Sequence, residues 1–201
     1  SFNKLPMSFV ENKGQWNDID QKQVFYSGRN NSGAEIYFSK DEVFYAFVKE
    51  SDTGNNSKIP NYEYLNFSTS FLNSNDNVIL KAEEPLESEH NYFRGDKSYS
   101  KIKNYEKISY AGIYDNIDLT YYNSNRELKY DFILHPNADV KEIQMFIKDV
   151  EDTRINAKGE IEIETPFGVV LEDKPYAYQI VDGLEIEVDV RYRMYNKNVV
   201  F

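Results

Sequence analysis

Cysteine is missing altogether from the 201 residues. Its absence excludes disulfides, thiol nucleophiles and thiolate metal sites together, and leaves the redox compartment open, because a chain of this size can fold without cross-links. Histidine is almost as scarce, with only His90 and His135. Zinc sites need three or four nitrogen or sulfur ligands, and nucleophilic triads need an oriented imidazole, so both are poorly supplied. Glu87 and Glu89 precede His90, and both histidines read as surface or structural residues. No His-Glu-x-x-His, Gly-x-Ser-x-Gly, Walker or dinucleotide glycine pattern occurs. The longest apolar run, Val43 to Val48, has six residues, far short of the roughly 20 that a membrane-spanning helix needs. No basic segment followed by an apolar one opens the chain at Ser1. A signal peptide already removed and a boundary cut within a longer chain both fit.

Glycine and proline are also few, nine and six, whereas tyrosine reaches 17 and phenylalanine 13. So many large rings with so few breakers exclude disorder and supply a core. Acids outnumber bases 34 to 23, a net charge of −11, which argues against a nucleic-acid partner. Between Asp149 and Asp189 twelve acids stand against three bases, so −9 of the total falls there. Arg94, Lys97, Lys101, Lys103 and Lys107 form the opposite, basic stretch; Tyr99 and Tyr105 interleave it, and it reads as a linker or lobe-docking surface.

Period-two alternation is clearest in Glu160–Glu164 and Leu184–Val190, each with an expected buried face and a wet acidic one. Glu35–Phe38, Val43–Val48, Tyr62–Phe67, Leu119–Tyr122 and Tyr130–Leu134 are further strand-like runs. Turn residues at 30–33, 52–56, 73–77, 157–159, 166–168 and 181–183 separate strands. Single helical turns are expected only at Asn17–Gln23 and Asn137–Glu142. The class is all-β, with antiparallel sandwich-like sheets and minimal helix. A polar seam at Gly95–Lys107 leaves two organisations open: one module over 1–201, or lobes at 1–96 and 97–201.

Candidate binding residues are the tyrosines Tyr176, Tyr178 and Tyr192, which offer an apolar face and a hydroxyl at small entropy cost. The acids Glu162, Glu164, Glu185 and Glu187 join them, expected on one acidic sheet face. Tyr121 and Tyr122 point opposite ways, so one of them is expected inside. Trp16 reads as an anchor for the N-terminal segment. Asp115, Asp118 and Asp131 are the carboxylates a hydrolase would use, although turn capping is the simpler role for them. The turns at 73–77 and 149–152 offer oxygen ligands to calcium without EF-hand spacing. No catalytic residue, bound cofactor or definite metal ligand set is assigned.

Several segments form a familiar set: Phe9–Trp16, Asn91–Gly95, Ile113–Tyr122, Leu128–Phe132, Pro136–Asp139, Glu164–Gly168 and Lys174–Gln179 with Asp182-Gly183. In this order they resemble an uncharacterised extracellular domain at the N-terminus of large secreted bacterial proteins. Such proteins carry SBBP (β-propeller-like) repeats, PKD or Ig-like repeats and gliding-motility-associated sorting domains. His135 departs from the family pattern, which has a small or apolar residue before the proline. The resemblance implies a secreted or cell-surface setting through type IX secretion, with adjacent repeats as neighbours. It implies no activity. The expectation is a non-catalytic interaction or structural module for a protein or glycan partner. A carbohydrate-active hydrolase and a calcium-stabilised spacer are the alternatives.

Overall fold

The structure is a computed structural model that describes residues 8–29, 34–51, 61–125 and 127–201. The expected turns at 30–33 and 52–56 lie outside those residues. Strands dominate: β1 (Phe9–Glu11), β2 (Tyr26–Arg29), β3 (Glu35–Phe38), β4 (Glu42–Ser51), β5 (Asn61–Phe71), β6 (Ile79–Arg94), β7 (Lys97–Tyr114), β8 (Ile117–Ser124) and β9 (Glu127–Leu134) come first. After a 3-10 turn at Val140–Glu142 follow β10 (Gln144–Lys148), β11 (Asp152–Ile155), β12 (Ile161–Thr165), β13 (Gly168–Glu172), β14 (Ala177–Val181), β15 (Leu184–Val188), β16 (Arg193–Tyr195) and β17 (Asn198–Val200). The all-β, antiparallel class is as the alternation predicts.

One large sheet runs β16-β17-β10-β5-β4-β3-β2-β1-β7-β8-β9, with β6 on the other edge of β7. β11-β12-β13 and β14-β15 are separate small sheets. The expected seam at 95–107 is the turn and outer half of the β6–β7 hairpin, paired from Ile79 opposite Ala111 to Arg94 opposite Lys97. Complementary charge explains why so polar a stretch is a strand pair. Glu83 faces Lys107 and Glu89 faces Lys103, and Lys107 Nζ lies 2.6 Å from Glu84. The pairings β1–β7 and β5–β10 also run across the 96/97 boundary.

Rings from strands that are not neighbours in the large sheet meet edge-on across its core. Phe9 of β1 meets Phe38 of β3 at 5.4 Å, Phe38 meets Tyr121 of β8 at 5.3 Å, and Phe71 of β5 meets Phe132 of β9 at 6.3 Å. Tyr110, Tyr114 and Tyr121 are fully buried, which fits the expected split between Tyr121 and its half-buried neighbour Tyr122. Ile161 and Ile163 of β12 complete the core from the three-stranded sheet. Trp16 packs edge-on against Tyr37 and Tyr92, 6.1 and 5.3 Å away, and so pins the N-terminal segment.

The helical turn expected at 17–23 is instead a tight β-turn. Asp20 and Gln21 both have positive φ, 48° and 65°, and Ile19 and Lys22 exchange backbone hydrogen bonds of 3.0 and 2.8 Å. That turn presents Lys22 to Glu42, a carboxylate only 2% exposed. Lys22 Nζ lies 2.9 Å from it, Lys148 Nζ contacts both oxygens at 3.0 Å, and Ser68 Oγ donates at 2.6 Å. Burial alone would raise the Glu42 carboxyl, but these donors outweigh it and hold it down at about 2.

Candidate interaction surface

The β14–β15 hairpin is built by its turn. Asp182 and Gly183 take φ of 52° and 79°, the doubly positive conformation of a two-residue turn whose twist matches paired strands. This fixes a register in which Tyr178 faces Glu187 and Ile180 faces Glu185. One face therefore carries Tyr178, Ile180, Glu185 and Glu187; the other carries Val181, Leu184, Ile186 and Val188. Tyr176, just before β14, extends the first face, its ring 5.9 Å from that of Tyr178. The Tyr176 hydroxyl donates to Glu185 Oε1 at 2.8 Å, and that hydrogen bond raises its pKa.

Nothing among the described residues covers either face. Leu184 is 66% exposed, Ile186 44% and Val188 41%, so the buried face expected from the alternation of 184–190 is not formed within them. Tyr176, Tyr178 and Ile180 are exposed as well. Neither hairpin edge pairs with another strand, and an isolated two-stranded hairpin is only marginally stable in water. Exposed apolar residues that are contiguous, rather than scattered, mark contact surfaces.

The other predicted site residues lie elsewhere. Glu162 and Glu164 are on β12, in a different sheet from Glu185 and Glu187, so the single acidic face does not exist. Arg154 of β11 reaches both, with Nη2 2.7 Å from Glu162 and Nη1 against Glu164, which neutralises part of the charge where like charges would otherwise face. A hydrogen bond from Asn156 lowers the Glu162 carboxyl, and Arg154 adds to this. Tyr192 is not a stacking surface either, because it is buried.

Sequence reading missed the reason. Glu172, at the end of β13, points inward beside Ile161 and accepts hydrogen bonds from Tyr192 Oη at 2.9 Å and from Tyr130 Oη. Burial raises the Glu172 carboxyl, although both hydroxyls oppose the shift. This trio ties the three-stranded sheet to β9 and to the segment before β16.

The carboxylates considered for hydrolysis each serve a local bond. Asp118 accepts the Gly112 N–H at 2.7 Å, where Gly112 has φ of 67° in a bulge of β7, and meets His135 Nε2 at 2.8 Å. Burial would raise its carboxyl, yet His135 and the Gly112 amide lower it. Asp115 accepts from Asn75 at 3.2 Å and Asp131 from Tyr122 at 3.2 Å. His90 stacks on Tyr92 at 6.0 Å. Among the described residues no group of three or more His, Cys, Asp or Glu side chains is placed to hold a metal ion, and no helix is long and apolar enough to cross a membrane.

Compared with known families, residues 9–201 match a domain of unknown function, DUF7948. The chain belongs to this family. The match takes in every strand of the large sheet and both small sheets, so the hairpin is part of the DUF7948 domain itself. No curated protein and no solved structure matches the chain.

Proposed function

We propose that this DUF7948 domain is a non-catalytic interaction module of a secreted or cell-surface protein, and that it docks on a protein partner through the β14–β15 hairpin. The observation that carries the reading is a strand pair with both faces exposed and both edges unpaired, bearing Leu184, Ile186 and Val188 on one side and Tyr176, Tyr178 and Ile180 on the other. Free edges suit strand addition, in which backbone hydrogen bonds supply affinity and alternate side chains supply selectivity. The favoured partner is a neighbouring repeat domain of the same exported polypeptide. The exported setting rests on the ordered segments from Phe9–Trp16 to Asp182-Gly183 and their resemblance to N-terminal domains of type IX secreted proteins. Asp115, Asp118 and Asp131, each engaged in a separate local bond, support the non-catalytic reading.

The test is the double substitution Leu184→Glu and Ile186→Glu. The isolated domain keeps its melting temperature, because both side chains are already in water. Association with the remainder of the polypeptide, supplied as a separate fragment and followed by sedimentation, is lost. A large fall in melting temperature, or unchanged association, contradicts the proposal. The Tyr176–Tyr178 pair supports a second reading, stacking on sugar rings, which a glycan array with and without Tyr178→Ala separates from the first.

A further inference from the structure

β12 and β15 share one alternating pattern, Ile161-Glu162-Ile163-Glu164 in the first and Leu184-Glu185-Ile186-Glu187-Val188 in the second. On one side each has a strand that sets apolar or aromatic residues opposite its acids. Glu162 and Glu164 face Leu171 and Val169 of β13; Glu185 and Glu187 face Ile180 and Tyr178 of β14. The other side differs. β12 is completed by β11, which sets Arg154 opposite Glu162 and Ile155 opposite Ile161, and Arg154 reaches the carboxylates of both Glu162 and Glu164. No strand completes β15. Glu185 accepts a hydrogen bond from the Tyr176 hydroxyl, and among the described residues no lysine or arginine pairs with it or with Glu187. The hairpin is the β12–β13 pair without its β11.

The free edge of β15 is also selective. Val181 and Leu184 flank the two-residue turn as a hydrogen-bonded pair, and such pairs alternate along an antiparallel ladder. The backbone N–H and C=O groups of Glu185 and Glu187 therefore point outward, towards an added strand. Acids elsewhere in the chain meet bases across the ladder, Glu83 opposite Lys107 and Glu89 opposite Lys103. Unlike charges directly opposite stabilise a strand pair, and like charges destabilise it. Two copies joined by their β15 edges would set carboxylate against carboxylate, so this edge repels its own kind.

We infer, resting on the hairpin docking proposed above, that the β15 edge takes an extended segment of the partner in which lysine or arginine alternates with aliphatic residues. The bases stand opposite Glu185 and Glu187, and the aliphatic side chains opposite Leu184, Ile186 and Val188.

The experiment offers the isolated domain two short peptides, one alternating lysine with valine and one alternating glutamate with valine, and follows hydrogen exchange at single hairpin amides by NMR. The lysine–valine peptide slows exchange at Glu185 and Glu187 and leaves Tyr178 and Ile180 unchanged; the glutamate–valine peptide slows none of them. Glu185→Gln with Glu187→Gln weakens the lysine–valine peptide by about fivefold, the worth of two cross-strand charge pairs. It keeps the melting temperature, because both side chains are exposed. No protection by either peptide, equal protection by both, or protection at Tyr178 and Ile180 in place of Glu185 and Glu187 overturns the inference. So does protection that appears without peptide as the domain is concentrated, the mark of a second copy. The glutamine pair also weakens association with the remainder of the polypeptide and flattens its salt dependence. Loss of that association in Leu184→Glu with Ile186→Glu, but unchanged affinity and salt dependence in the glutamine pair, overturns the inference and leaves hairpin docking standing. Unchanged association in both double variants overturns the two together.

Discussion

Glu42→Gln tests the polar cluster that locks the Ile19–Lys22 turn onto the large sheet. The folded carboxyl sits at about 2 against an ordinary 4.5, and at about 1.4 kcal/mol per pKa unit that difference is worth about 3 kcal/mol. The side chain is 2% exposed, so solvent screening takes little of it. Removing the charge leaves Lys148 without a carboxylate and Lys22 with Asp41 alone, and breaking one partner of a buried pair costs about 3–5 kcal/mol. The two estimates agree near 3 kcal/mol. At roughly 2–4 °C per kcal/mol for a chain of this size, the melting temperature at pH 7 falls by about 6–12 °C. A depressed folded pKa gives stability that is present above 4.5 and is lost as pH falls through 2. The gap between parent and Glu42→Gln therefore closes over that interval. Calorimetry at pH 7, 4 and 2.5 measures it. A gap under about 2 °C at pH 7, or one that stays constant with pH, refutes the reasoning.

Glu172 has the opposite sign. Its raised pKa means that the folded state holds the proton more tightly, so this contribution is present below 4.5 and is lost as pH rises through the folded value. Glu172→Gln keeps an oxygen for Tyr130 and Tyr192, and calorimetry finds its melting temperature equal to or above the parent's at pH 8, with that advantage gone at pH 4. Tyr110→Phe deletes a buried hydroxyl that has no partner among the described residues and keeps the ring; stability rises by about 0–1 kcal/mol in urea unfolding. Calcium and chelator leave the melting temperature of the domain within about 1 °C of each other, whereas a clear rise with calcium supports the spacer reading.

Strand positions were legible because period-two alternation and turn residues act locally. The turns at 157–159, 166–168 and 181–183 stand where their Gly and Asp residues predict. Alternation names the side chains that share a face, but not whether another layer covers it. Leu184, Ile186 and Val188 read as core for that reason, and are exposed. Glu172 shows the converse: its acid neighbours suggest water, and only the register opposite Ile161 turns it inward. Tyr192 carried no signal of burial, since its partner Tyr130 lies 62 residues away. The β6–β7 pair was hidden by its polarity, because cross-strand Glu and Lys supply what apolar alternation would elsewhere. Long-range pairs such as Glu42 with Lys148, 106 residues apart, lie beyond any local pattern.

The central claim is that the β14–β15 hairpin is a contact element left open in the isolated domain. Hydrogen exchange at the amides of Ala177–Val188, measured in the isolated domain and again in the complete polypeptide that carries it, tests this most directly. The account predicts fast exchange in the isolated domain and strong protection in the complete chain. Equal exchange in the two, or protection in the isolated domain matching that of β7 and β8, contradicts it.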